Sequence, residues 1–393
     1  MKSQTLGYFD FVGMIKGFGT ESVGKDIPSK NNPNWIYNRM SIMLTDGNGK
    51  NVYLNIQDGY DKTKGKMIFV QSVNDAQMTI SFADRFNNAL RETIKDNSFF
   101  KVATDKTKIE AKSRETGEVI MENGEPKMID VWNYHRSLTV YEMINFLPDK
   151  LSDGLKVRIT GQVRYREYQG STQREYNVQR VYFLQGDTDT PCEFKITQTV
   201  LVTPNSVDYS KVEEGVAKVN AKVYLKKNKD EMMIVPLPLT VKATTDNNAN
   251  FKRSLQLVYE VPEDKVMRIK LNCYVNSGYV QAEISDDVIP PEMVELIELG
   301  MITKEEIAKS YNTREKVDEL VVSKPALKDG SIDKDFDSYT LEDLENLKIE
   351  HEGQESNGGT DTQPSTPSTS EPSPSPFVED DDDEFDLDKE LGL

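Results

Sequence analysis

The 393-residue chain is predicted to be mainly β with added helices: a small barrel with insertions, then a second small β domain and a short helical segment. Three observations predict this. Short runs alternate apolar and polar residues, as in Phe194 to Val202 and Ala217 to Leu225, the period of a half-buried strand. Turn-forming clusters such as Asp46-Gly47-Asn48-Gly49 separate the runs. Helical spacing is confined to a few stretches.

Leu6 to Phe18 reads as a first strand, and its glycines at 7, 13, 17 and 19 suggest a bulge or the curvature of a small barrel. Trp35 to Leu44 makes a second strand, which turns at Asp46 to Gly49 into a third, Asn51 to Gln57. Trp35, Tyr37 and Arg39 share one side of the second strand, because residues two apart share a face. They are candidates for base stacking and phosphate contact; the two rings fit a core equally well.

Ile80, Ala83, Phe86, Leu90 and Ile94 recur at helical spacing and predict a helix from Phe82 to Lys95. The charged segment Lys101 to Lys127 reads as one or two exposed hairpins with Asn123-Gly124 as a turn. Val131 to Arg136 is a further strand, its Trp132 and Tyr134 directed either at a ligand or into the core. Ser137 to Ile144 begins as a capped helix.

The stretch from Lys156 to Leu184 organises the rest. Val157, Ile159, Gly161, Val163 and Tyr165 point one way and Arg158, Thr160, Gln162, Arg164 and Arg166 the other, before a turn at Gln169 to Thr172. The returning strand carries Tyr176, Arg180 and Tyr182. Arginine neutralises phosphate and tyrosine offers a stacking face, neither depending on base identity, so the pattern suits a single-stranded nucleic acid. An amphipathic hairpin with a solvated outer face has the same pattern.

Gly161-Gln162-Val163-Arg164-Tyr165-Arg166-Glu167-Tyr168-Gln169-Gly170, followed by Arg174-Glu175-Tyr176, resembles the last long hairpin of bacterial and phage single-stranded DNA-binding proteins. The family resemblance implies an OB-fold whose hairpin grips the strand, and an acidic C-terminal tail that recruits partners. Under it the nucleic-acid-binding set is Trp35, Tyr37, Arg39, Trp132, Tyr134, Arg164, Arg166, Tyr168, Arg174, Tyr176 and Arg180. The acidic tip Asp380, Asp381, Asp382, Asp383, Glu384, Phe385, Asp386 and Leu387 is the corresponding partner-binding element.

In the second half, Phe194 to Val202, Ala217 to Leu225, Met232 to Lys242, Lys252 to Tyr259 and Val266 to Tyr274 read as five strands, enough for a second barrel or sandwich. Tandem OB-folds are consistent with this, although the sequence shows no strong internal repeat. Pro291 to Leu299, stopped by Gly300, and Thr303 to Lys309 read as helices. Gln354 to Pro376 has no apolar residue to support a core and reads as a disordered linker.

The charge is divided along the chain. The net charge is -18, yet residues 286–393 hold 31 acidic and 9 basic residues while the preceding part holds 39 basic and 35 acidic. A mildly basic body with an acidic appendage is one signature of nucleic-acid binding. Two cysteines, Cys192 and Cys273, and two histidines, His135 and His351, are too few for a disulfide scaffold or a four-ligand zinc site. The cysteines read as reduced core thiols. No apolar run reaches the length of a membrane span or signal peptide, and no Walker, H-E-x-x-H, G-x-S-x-G or C-x-x-C motif occurs.

The expected organisation is an OB-fold-like single-strand-binding domain over 1–186 with an insertion around 79–136, a second β domain over 192–286 and a helical appendage over 287–322. A flexible linker over 323–376 and an acidic tip over 377–393 follow. The expected function is non-enzymatic: coating single-stranded DNA during replication, recombination and repair, with replication and recombination proteins as partners of the tail. No cofactor and no membrane association are expected, and the location is cytoplasmic, the host cytoplasm for a phage protein. A virion scaffold protein and a metal-dependent nuclease are the other classes; DNA against RNA and the oligomeric state are not set by these residues.

Overall fold

The computed structural model describes residues 2–345 apart from 31, 64, 114–115, 169–170, 188, 227–231, 245–249, 282–288, 300 and 304–313. In the first half the elements are β1 (Gly7–Ile15), β2 (Val23–Pro28), β3 (Trp35–Thr45), β4 (Asn51–Asp61), β5 (Met67–Gln71), β6 (Gln77–Ser81), α1 (Asn88–Arg91) and β7 (Phe100–Glu110). They continue with β8 (Met121–Glu122), β9 (Glu125–Pro126), β10 (Met128–Ser137), α2 (Val140–Phe146), β11 (Lys156–Tyr168) and β12 (Ser171–Phe183). The second half holds β13 (Glu193–Val202), β14 (Val207–Asp208), β15 (Val216–Lys226), β16 (Met232–Lys242), α3 (Phe251–Tyr259), β17 (Met267–Gln281), α4 (Pro291–Glu298), β18 (Arg314–Pro325) and α5 (Leu341–Glu345).

Mainly β, as expected, the chain uses one strand order twice. In the second half β13 pairs antiparallel with β15 and β17, β15 with β16, β17 with β18, and β18 runs parallel to β16. These pairings close a five-stranded ring. Alternation supplies its lining: Ala217, Val219, Ala221 and Val223 point in from β15, and Ile269, Leu271, Cys273 and Val275 from β17. Helix α3 packs Phe251, Leu255 and Tyr259 into the same core.

The first half repeats the order with β1, β3, β4, α2, β11 and β12. Here the insertion β5 to α1 intervenes, and the parallel partner of β12 is β7, from Arg180 opposite Lys101 to Tyr182 opposite Ala103. Strand β4 lies against β12. Phe9 and Phe11 of β1 are fully buried, each stabilising the fold by about 1.5–3 kcal/mol relative to exposure. Helix α2 is capped by Thr139, whose hydroxyl accepts from Glu142 N, and it buries Met143 and Ile144.

The two barrels meet through their first strands. β1 and β13 pair antiparallel, Gly7 opposite Gln198 through Val12 opposite Glu193. An antiparallel pairing of equivalent strands relates the halves by an approximate two-fold, so each barrel's long hairpin reaches the other. Arg174 on β12 pairs with Asp318 on β18, and Lys50, at the β3–β4 turn, bridges to Gly278 on β17.

Three expectations are corrected. Lys252 to Tyr259 is not a strand but lies in α3. Its apolar residues fit both periods, but Leu257 is exposed while Phe251, Leu255 and Tyr259, at helical spacing, are buried. The helix expected from Phe82 to Lys95 is broken into a 3-10 turn, Phe82–Phe86, and the short α1. Asn87 divides them, its side chain accepting from Leu90 N as a new cap. Strand β18 occupies 314–325, where a helical appendage and then a linker were expected, and ordered chain follows it to 345. Tyr339 there is buried against Tyr224, Ile234 and Leu344, and its hydroxyl donates to Ser3 O. The helix expected from Thr303 to Lys309 lies outside the described residues from position 304 onward.

Candidate nucleic-acid interface

The β3–β4 ladder has a core face and an open face. Ile36, Asn38, Met40, Ile42 and Leu44 turn inward, leaving Trp35, Tyr37, Arg39, Ser41 and Met43 on the other side. Opposite them on β4 stand Asp61, Gly59, Gln57, Asn55 and Tyr53. Tyr53 is 61% exposed and faces Met43 across the ladder. Ser41 Oγ donates to Asn55 Oδ1 at 3.0 Å. Arg39 is exposed and forms no ion pair among the described residues.

Gly59 leaves room for its neighbours on β3. A Cβ there would stand 2.8 Å from Tyr37 Cβ and 2.9 Å from Trp35 Nε1, so only glycine admits both. Trp35 Nε1 is buried without a hydrogen-bond partner among the described residues.

On the β11–β12 hairpin the arginines are largely engaged with the protein. Arg158 holds Asp10 with two bonds of 2.8 Å. Arg164 is half-buried opposite Glu175, and burial lowers its pKa. Arg174 is paired with Asp318, its side chain 8% exposed. Tyr176 packs edge-on against Phe9 and Phe11 at 5.3 and 4.9 Å. Tyr165 is core, and its hydroxyl donates to Gln198 Oε1 at 2.8 Å. Arg180 is buried. The side chains of Arg166 and Tyr168 lie outside the described residues, as does the whole acidic tip from Asp380 to Leu387.

A second group of expected residues sits on the ribbon of β7 and β10. Asn123 and Gly124, with φ of 53° and 88°, make the sharp turn of the small β8–β9 hairpin that extends this ribbon. Lys106 Nζ lies 4.5 Å from the Trp132 ring centre and Lys101 Nζ 5.3 Å from that of Tyr134, both cation–π contacts. Both rings turn toward Tyr182 on β12. His135 stacks on Phe146 at 3.7 Å, and burial lowers its pKa, helped by the charge of Arg91.

The fold therefore gathers Trp35, Tyr37 and Arg39 on one face and Trp132 and Tyr134 on another. Tyr53 was not among the expected residues. Its signal was present, a ring on the polar side of the alternating Val52, Leu54 and Ile56. The equivalent face of the second barrel carries Lys218, Asn220 and Lys222 opposite Thr240, Pro238 and Pro236. Its one ring, Tyr224, is buried under Tyr339. Among the described residues no group of three or more His, Cys, Asp or Glu side chains is disposed to hold a metal ion, and no helix is long and apolar enough to cross a membrane.

No family model and no curated protein matches the chain. In solved structures it is similar to the single-stranded DNA-binding protein from Thermus aquaticus. The wild-type structure matches with a TM-score of 0.31 and 8% identity, covering 70% of this chain and 87% of that one. A deletion mutant of the same protein matches with the same score and identity, covering 70% and 88%.

Proposed function

We propose that this chain binds single-stranded DNA without sequence preference, the strand lying along the open face of β3 and β4. The observation that carries this reading is the juxtaposition of Trp35, Tyr37 and Tyr53 with the exposed Arg39, which forms no ion pair among the described residues, on a single ladder. Rings on such a face stack bases for about 1–3 kcal/mol each, and the guanidinium takes a phosphate. Trp132, Tyr134 and Lys106 form a second aromatic and basic patch for a strand that continues beyond the first, while Lys101 is buried and paired with Asp96. Arg166 and Tyr168 belong to the proposed contacts on the family resemblance. Arg164, Arg174, Tyr176 and Arg180 support the hairpin from within.

In this reading the protein is non-enzymatic and coats single strands during replication, recombination and repair. The acidic tip 380–387 recruits other proteins, and the large size with an acidic tail and a divergent hairpin favours a phage source. The test is fluorescence anisotropy of a labelled oligothymidine at two salt concentrations, with the full chain and its Tyr53→Ala and Arg39→Ala variants. Salt-sensitive binding that both substitutions weaken is the expected result. A chain that does not bind, or that binds equally well with both substitutions, refutes the assignment to this face.

A further inference from the structure

The sheet that crosses both barrels ends in β10. Among the described residues β7 is the only strand that pairs with it. All ten of its residues except Trp132 and Ser137 are exposed. They include Met128, Ile129, Val131 and Tyr134. A sheet edge presents backbone N–H and C=O groups to any passing strand, and proteins usually blunt it with lysine or proline. Strand β10, Met-Ile-Asp-Val-Trp-Asn-Tyr-His-Arg-Ser, contains neither.

We propose that β10 pairs antiparallel with β10 of a second copy of this chain, across a two-fold axis beside Asn133. Such a contact uses one patch twice and must complement itself. With the axis at Asn133, Asp130 stands opposite Arg136 of the second copy, Trp132 opposite Tyr134 and Val131 opposite His135, each twice. Opposed residues of an antiparallel ladder share the same hydrogen-bonding side, so the neighbouring registers move the axis by a whole residue; they set Arg136 against Met128 or Trp132 and leave Asp130 without its counter-charge. The charges thus select one register.

The surrounding structure presents these groups in the needed way. Asp130, Trp132, Tyr134 and Arg136 share one face of the strand, so the ion pairs flank the aromatic pairs. On the other face Ile129 stands opposite Ile109 of β7, both exposed beside Val131. That apolar band becomes continuous when a second copy adds its own. Arg136 is held at the end of the edge: its guanidinium lies 3.9 Å from the Phe99 ring centre and 3.3 Å from Asp96, and its carbonyl accepts from Arg91 Nη2 at 2.5 Å. It remains 40% exposed.

The test is sedimentation velocity of the full chain over a concentration series without nucleic acid, so its outcome is separate from that of the binding experiment. A concentration-dependent dimer is expected. Asp130→Arg and Arg136→Asp should each weaken it by about tenfold or more, since two like-charge contacts replace two ion pairs. Mixed together, the two variants should associate again, because each carries the charges the other lacks. Asp130 is exposed and without an ion pair among the described residues, so its variant keeps the fold, which circular dichroism verifies. A chain that stays monomeric through the micromolar range overturns the proposal. So does a dimer that Asp130→Arg leaves as tight as before, or a mixture that does not associate.

Discussion

The Tyr165 hydroxyl donates to Gln198 Oε1 at 2.8 Å, and Gln198 Nε2 donates in turn to Thr5 O at 3.0 Å and Thr199 O at 2.7 Å. Tyr165 comes from the hairpin of the first barrel and Gln198 from the first strand of the second. This buried node therefore ties the two halves together where β1 and β13 pair.

Gly7 makes room for that node. A Cβ at Gly7 would fall 1.9 Å from Gln198 Oε1, and the amide that must move is held by three hydrogen bonds. Gly7→Ala and Gln198→Ala should each destabilise by about 1–3 kcal/mol, the cost of leaving a buried polar group unpaired. The double variant should lose less than the sum, because sites in contact are not additive. Urea denaturation of the four proteins measures the coupling.

On the proposed binding face, Tyr53→Ala should weaken oligothymidine binding by about 1–3 kcal/mol while leaving its salt dependence unchanged, as expected for a stacking ring. Arg39→Ala should instead flatten the plot of log affinity against log salt by roughly one phosphate contact. Anisotropy titrations across a salt series separate the two behaviours.

Arg174 and Asp318 join the hairpin of one barrel to the closing strand of the other. Asp318→Ala leaves a nearly buried guanidinium without its counter-charge, so it should lower the melting temperature although Asp318 itself is half exposed. It should leave DNA affinity unchanged. An Asp318 variant with normal melting and tighter binding would make Arg174 a phosphate contact held back by its partner.

Burial against Phe9 and Phe11 pushes the Tyr176 hydroxyl up to about 12, above the value of about 10 in an unfolded chain. The unfolded state releases this proton first as pH rises. The contribution to stability is therefore complete below pH about 10 and is lost as pH climbs through about 12. Stability measured against pH should fall less steeply in that window for Tyr176→Phe than for the parent chain.

Much of the strand pattern was legible because alternation is local. Trp35 to Leu44, Val131 to Arg136, the long hairpin and Met232 to Lys242 all show themselves in the order of their own residues. Tyr53 carried the same signal, a ring on a polar face. Strand β18 was hidden, since charged residues surround Leu320 and Val322, and its identity depends on β16 and β17, far away in the chain.

The sequence by itself determined that the chain is mainly β, where its turns fall, and that a mildly basic body precedes an acidic end. Only the tertiary structure decided that one strand order is used twice, because a barrel needs apolar alternation but no particular residues. It also decided the fate of the arginines. A period of two places Arg158, Arg164 and Arg174 on strands, but whether each meets solvent or a carboxylate depends on what a neighbouring strand or the opposite barrel places there: Asp10 of β1 for Arg158, Glu175 of β12 for Arg164 and Asp318 of β18 for Arg174. Asp318 reaches Arg174 from 144 residues away, a distance no local pattern spans.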